Sequence, residues 1–241
     1  MNEIIKGYEE LYKCECYKNS WPFVTITPSQ SLISPPKLML IGRAPNGWEE
    51  DLDLKDACLE EYSSKIKDKI DNKDRWNWIK YENGRLTNIN ETYYPNKSPF
   101  WSYTKMIWGK VLNEKELKPE WMKGIIWTNL YKISDRETGN PTESCKKKQA
   151  KPCVDILNAE IEMLKPTHII VMTGYNWIKD IKSEEGILNL CFADSVTPCV
   201  EGGFVEASGR YKGIKIIVTC RPERKAKESF ANECFEYFEK I

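Results

Sequence analysis

Two stretches of this chain carry side chains suited to holding a ligand. In the first, Leu38-Met-Leu-Ile41 runs into Gly42-Arg43-Ala44-Pro45-Asn46-Gly47. Gly42 and Gly47 allow close backbone approach, and Pro45 fixes φ between them. In the second, Arg221, Arg224, Lys225 and Lys227 cluster at the expected start of the last helix. Cations are disfavoured at a helix N-terminus, so their grouping there points to an anionic partner. Arg221 is permanently charged: it can grip a phosphate or steady an anionic leaving group, but it cannot shuttle a proton. Lys146 to Lys148 read as a solvated loop. The one histidine, His168, opens a strand and reads as structural.

These residues need elements to position them. Leu38 to Ile41 is apolar, short and without alternation, the signature of a strand covered on both faces. Gly124 to Lys132, Thr167 to Met172 and Ile214 to Val218 read as further buried strands. Phe204 to Ala207 pairs with the last of them across a turn at Ser208-Gly209. Helices are expected over Asn2 to Lys13, Leu59 to Ile70, Ser98 to about Leu112, Cys153 to Leu164 and Glu223 to Ile241. Ser98 is placed to cap the third, with Pro99 at its first position. Ser134 to Ala150 reads as a polar loop. Residues 75–97 read as an insertion, with a hairpin turning at Asn83-Gly84. The alternation predicts a single three-layer α/β/α domain over residues 1–241, with a mainly parallel sheet of about four strands. Loops at the carboxyl ends of such strands bind ligands, which directs attention to Gly42 to Gly47.

Composition narrows the classes. Acidic and basic residues balance at 36 each, so net charge does not itself call for nucleic acid, although a local basic groove remains compatible with it. No run of 18 apolar residues exists and the N-terminus lacks a signal-type apolar core, so no membrane association and a cytoplasmic location are expected. The nine cysteines include no Cys-x-x-Cys pair and read mostly as buried, reduced thiols.

Taken in order, five segments resemble motifs of the uracil-DNA glycosylase superfamily. They are Leu40-Ile-Gly-Arg-Ala-Pro-Asn-Gly, Ser98-Pro-Phe-Trp, Ile126-Trp-Thr-Asn-Leu-Tyr-Lys, the helix–Pro–strand–Gly pattern of Ile156 to Gly174, and Ile216-Ile-Val-Thr-Cys-Arg-Pro. The resemblance spans about residues 37–241, without the insertion. It implies a partner that is DNA, another nucleic acid or a free nucleobase or nucleotide, with a base unstacked into a pocket. It casts Phe100, or its neighbour Trp101, as the stacking platform. Asn129 would pair with the base edge, and backbone amides in the Gly42 to Gly47 loop would hold a phosphate or a water, with Gly42, Arg43, Ala44 and Pro45 in the substrate-binding set. Arg224 joins the substrate-binding set.

The chain departs from that family at the catalytic positions. Arg43 and Ala44 stand where an acid or amide is usual, and Arg221-Pro222-Glu223 stands in place of a His-Pro motif. Asn46, with Glu49 or Glu50, would then hold the water, and Arg221 would face the leaving group or a phosphate. The iron–sulfur pattern of some members is incomplete. Cys14 and Cys16 have the wrong spacing, Cys153 fits one later position, and Ile133 stands where a ligand belongs, so that Cys145 would have to substitute. No cofactor is expected. Two functions stay open: hydrolysis of a base–sugar bond, and recognition of a base or nucleic acid without chemistry. A hydrolase acting on a small nucleoside or sugar phosphate is a third.

Overall fold

The computed structural model describes residues 1–14, 22–28, 37–45, 57–72, 75–82, 85–88, 93–119, 121–134, 139–179, 197–198 and 202–241. Its elements are α1 (Asn2–Lys13), β1 (Leu38–Gly42), α2 (Leu59–Asp71), β2 (Ile79–Glu82), β3 (Arg85–Asn88), α3 (Pro99–Val111), β4 (Ile126–Asn129), α4 (Glu143–Leu164), β5 (His168–Val171), α5 (Tyr175–Lys179), β6 (Thr197–Pro198), β7 (Val205–Tyr211), β8 (Ile214–Thr219) and α6 (Lys227–Lys240). They form a three-layer α/β/α fold around a six-stranded sheet ordered β4-β1-β5-β8-β7-β6. The four expected strands, β4, β1, β5 and β8, are mutually parallel. The sheet is extended by β7 and β6, which run antiparallel.

Alternation along the strands divides the core in two. Met39, Ile41, Ile126, Ile169, Val171, Ile216 and Val218 face a layer built on α1, α2 and α4. Leu38, Leu40, Ile170 and Ile217 face α3, α6 and the β2–β3 hairpin. Both faces of the parallel strands are covered, which is why these segments read as unbroken apolar runs. The hairpin pairs Glu82 with Arg85, leaving the two residues 83–84, outside the described residues, as its connection.

Several expectations are corrected. Residues 143–150 are not loop but the first turns of α4. Thr142 caps it by accepting from the Cys145 N–H at 3.2 Å. The expected start at Cys153 falls one residue after Pro152. Pro152 sits inside the helix, where it cannot donate to the Lys148 carbonyl. That carbonyl instead accepts the Cys14 thiol at 3.1 Å, so packing of α1 on α4 satisfies the group that proline leaves open. The β7–β8 turn lies at Lys212-Gly213, where φ is +47° and +84°, and Ser208-Gly209 is mid-strand. α6 begins at Lys227, so Arg221, Arg224 and Lys225 precede it and are not charges on its first turn. Ser98 occupies the cap position of α3 with Pro99 after it, but its side chain makes no capping bond.

Candidate functional site

The parallel strands deliver several of the sequence-predicted residues to one edge of the sheet. Gly42 ends β1 and Asn129 ends β4, and the two are Cα partners in the register. The Asn129 side chain lies across Gly42: a Cβ at residue 42 would collide with Asn129 Oδ1, and would touch Phe100 Cε2 at 3.7 Å. Gly42, Phe100 and Asn129 therefore meet. The chain holds this arrangement beyond the strands, with Leu130 N–H donating to Gly42 O at 2.8 Å and Tyr131 N–H to Arg43 O at 2.9 Å.

Asn129 is only 3% exposed. Among the described residues its Nδ2 has no hydrogen-bond partner. A buried amide donor left unpaired costs about 1–3 kcal/mol, so hydrogen bonding of Nδ2 within the described residues does not account for its place. Phe100, in the first turn of α3, is half-buried, and its ring meets Trp101 edge-on at 4.9 Å. Trp101, the alternative platform, is buried. It is 2% exposed and packs in the core against Trp76, Trp121 and Trp127.

Arg43 turns to the neighbouring strand end. Its Nε donates to Thr173 O at 2.7 Å and its guanidinium lies 4.7 Å above the Trp177 ring. Burial, and then the charge of Arg221, lower its pKa, while Glu223 and Glu206 oppose the shift. Arg221 follows β8 and pairs with Glu223, its Nε to Oε2 at 2.9 Å. Arg224 is exposed at φ +62° and makes no hydrogen bond or ion pair among the described residues. Ala44 packs into the core, and the Pro45 carbonyl accepts the Ser134 hydroxyl. Asn46, Glu49 and Glu50 lie outside the described residues.

Glu206 carries a carboxylate that the sequence did not flag. It sits at an irregularity in the β7–β8 register, between Val205 and Ala207. Such bulges re-aim a side chain. Its Oε2 accepts the Tyr175 N–H at 2.5 Å. A Cβ at Gly174 would stand 3.8 Å from both this oxygen and Arg43 Nη2, so the two side chains flank one glycine. The pattern of β7 gives no sign of the bulge. Cys220, between β8 and Arg221, has its thiol pKa raised by burial, so it is no activated nucleophile.

His168 stands at the opposite end of the sheet. Its ring is set edge-on to Phe238 and Trp108, at 5.0 and 5.6 Å, and burial with the charge of Lys215 pushes its pKa down to about 4. It is remote from the strand ends that carry Asn129 and Arg43.

Two of the candidate cluster thiols, Cys145 and Cys153, share one partner. Gln149 donates to Cys145 Sγ at 3.1 Å and accepts from Cys153 Sγ at 3.3 Å, and it pairs with both backbone groups of Ile133. Cys14 is bound to the Lys148 carbonyl. Burial pushes the Cys153 thiol up to about 12, which opposes the thiolate a metal needs. Among the described residues no group of three His, Cys, Asp or Glu is placed to hold a metal. Cys16 lies outside the described residues.

A buried charge pair supports the site from below. Lys132 and Glu160 are 0% and 1% exposed and paired at 3.0 Å. Thr128 donates to Glu160 at 3.0 Å, and the Thr25 and Thr128 hydroxyls are joined at 2.8 Å. This network anchors Thr128, the residue before Asn129. Separately, a groove of about 470 Å³ runs between α3 and α6, lined by Lys105, Lys110, Lys227 and Glu228 among others. It includes none of the residues that meet at Gly42. Among the described residues no helix is long and apolar enough to cross a membrane.

A comparison with family models and with curated proteins finds no match to this chain.

Proposed function

We propose that this chain is a diverged relative of the uracil-DNA glycosylases that accepts a flipped base and hydrolyses its N-glycosidic bond. The observation that carries this reading is the meeting of Gly42, Phe100 and Asn129, with the buried Asn129 Nδ2 unpaired among the described residues. An unpaired amide donor beside an aromatic ring suits a planar heterocycle that presents a carbonyl oxygen. Phe100 stacks on the ring and Asn129 donates to that oxygen. Departure of the base leaves negative charge on it. Arg221 answers this charge electrostatically, since a guanidinium gives up no proton. Glu206 supplies a carboxylate on the same side of the sheet, and Asn46 with Glu49 remain the sequence's candidates for holding water. Incubation with uracil-, hypoxanthine- and mismatch-containing oligonucleotides, followed by alkaline work-up, tests this. Strand scission at the modified base is expected, and intact strands would exclude excision of those bases.

A second reading, recognition of a base or nucleic acid without bond cleavage, is favoured by one observation. Arg221 is tied to Glu223 and the one histidine is at the far end of the sheet. Under that reading nucleotides raise the melting temperature and DNA binds with a salt-dependent affinity, while every oligonucleotide stays intact.

A further inference from the structure

We propose that Arg43, with Arg221 beside it, forms a phosphate-binding fork next to the base-recognition residues, so that the site takes a phosphorylated nucleoside unit rather than a bare base. The inference rests on the base-recognition reading for the word nucleoside, but the anion site stands on its own geometry.

Arg43 is a guanidinium already fixed in orientation. Its Nε is spent on Thr173 O and its face lies over Trp177. Among the described residues its terminal nitrogens carry no hydrogen bond, so one edge of the fork is left to bind. A planar, pre-oriented fork is the arrangement that holds phosphate through two parallel hydrogen bonds, with little rotamer entropy to lose. Arg43 has no ion pair among the described residues, and the two carboxylates on this side already have partners: Glu206 takes the Tyr175 N–H and Glu223 takes Arg221. Arg221 and Arg43 oppose each other's charge, a cost that a shared anion relieves. The position follows from chain order. Arg43 is the residue after Gly42, the glycine over which Asn129 and Phe100 meet. The fork and the base-recognition residues therefore lie at the same carboxyl-end edge of the sheet.

Calorimetric titration of the full chain tests this with four probes: inorganic phosphate, deoxyuridine, deoxyuridine monophosphate and a uracil-containing oligonucleotide. The monophosphate should bind at least about tenfold more tightly than the nucleoside, the size expected of one charge-assisted contact. In Arg43→Gln that margin and phosphate binding should both disappear while nucleoside affinity is kept. Arg43→Lys should recover only part of it, because a point charge lacks the fork. If the margin is absent in the native chain, or survives Arg43→Gln, the phosphate fork is wrong. Phosphate binding lost in Arg43→Gln without any nucleoside binding would uphold the fork and sink the base reading. Nucleoside binding with no phosphate margin would do the reverse. A margin confined to the free monophosphate identifies a nucleotide ligand; one shared by the oligonucleotide identifies a strand phosphate. Melting curves of both variants should fall only slightly, because Arg43 contributes one hydrogen bond and one ring contact but closes no buried ion pair.

Discussion

Gly42 and Asn129 are register partners on adjacent parallel strands, and the asparagine amide occupies the space that any side chain at residue 42 would need. This makes the glycine a requirement of its neighbour rather than of its own backbone. Gly42 is not among the positive-φ residues, so its φ is one that alanine also adopts. What alanine lacks is room.

Gly42→Ala should therefore act through Asn129. Its methyl group displaces the amide, a forced repacking that costs about 1–3 kcal/mol. Ligand binding should fall further than stability does. Chemical denaturation read beside base binding checks this; a variant with native affinity would show that Asn129 does not need its present position.

Asn129→Leu separates function from folding. The substitution removes a buried donor that has no partner among the described residues and replaces it with an apolar group of similar size. Stability should hold or rise, by up to about 1–3 kcal/mol. The melting shift produced by nucleotides should vanish. A large fall in stability would instead mean that the amide is part of the fold.

Much of this arrangement was legible in the sequence because it depends on local pattern. Leu38 to Ile41 announced a strand covered on both faces, and the glycine after it marked the strand end where the candidate site lies. Phe100 and Asn129 were visible as residues following a helix start and ending a buried strand. What escaped was set by contacts distant in the chain. Trp101 is adjacent to Phe100 yet belongs to the core, because the helix turns it onto Trp76, Trp121 and Trp127. The helix expected from Cys153 begins earlier, at Glu143, and the Cys14 thiol, just after α1, satisfies the carbonyl left open where the helix passes through Pro152. Glu206 reaches the site through a bulge that has no sequence signature. Nothing in the sequence marks Lys132 and Glu160 as the pair that the fold brings together inside.

His168 gives the protein an acid-side signature. Its pKa of about 4 in the folded chain lies below the ordinary 6.5. Between these values the unfolded chain binds a proton that the folded chain refuses, so stability rises with pH across that window. The contribution is complete above about pH 6.5 and is lost as the pH falls toward 4. Replacing the ring by His168→Asn should flatten this part of the profile. Denaturation midpoints of both proteins across the window provide the check, and parallel profiles would mean that the ring is not held neutral. Activity or ligand binding should be unchanged, since the residue is at the far end of the sheet.

The buried pair of Lys132 and Glu160 ties folding to the site. Each group is removed from water and depends on the other, with Thr25 and Thr128 completing the network. Lys132→Met leaves a buried carboxylate unpaired, and Glu160→Gln leaves a buried ammonium. Each should cost about 3–5 kcal/mol. The double substitution should recover a good part of that loss, because no charge is then stranded. Thr128 immediately precedes Asn129, so the double variant tests a second point. If the network only supports the core, the recovered protein binds ligand normally. If it fixes the end of β4, as the bonds through Thr128 imply, the recovered protein is stable but binds weakly. A double-mutant cycle measured in both stability and binding distinguishes the two. Strictly additive losses would show that the ion pair is not the unit that holds this strand end.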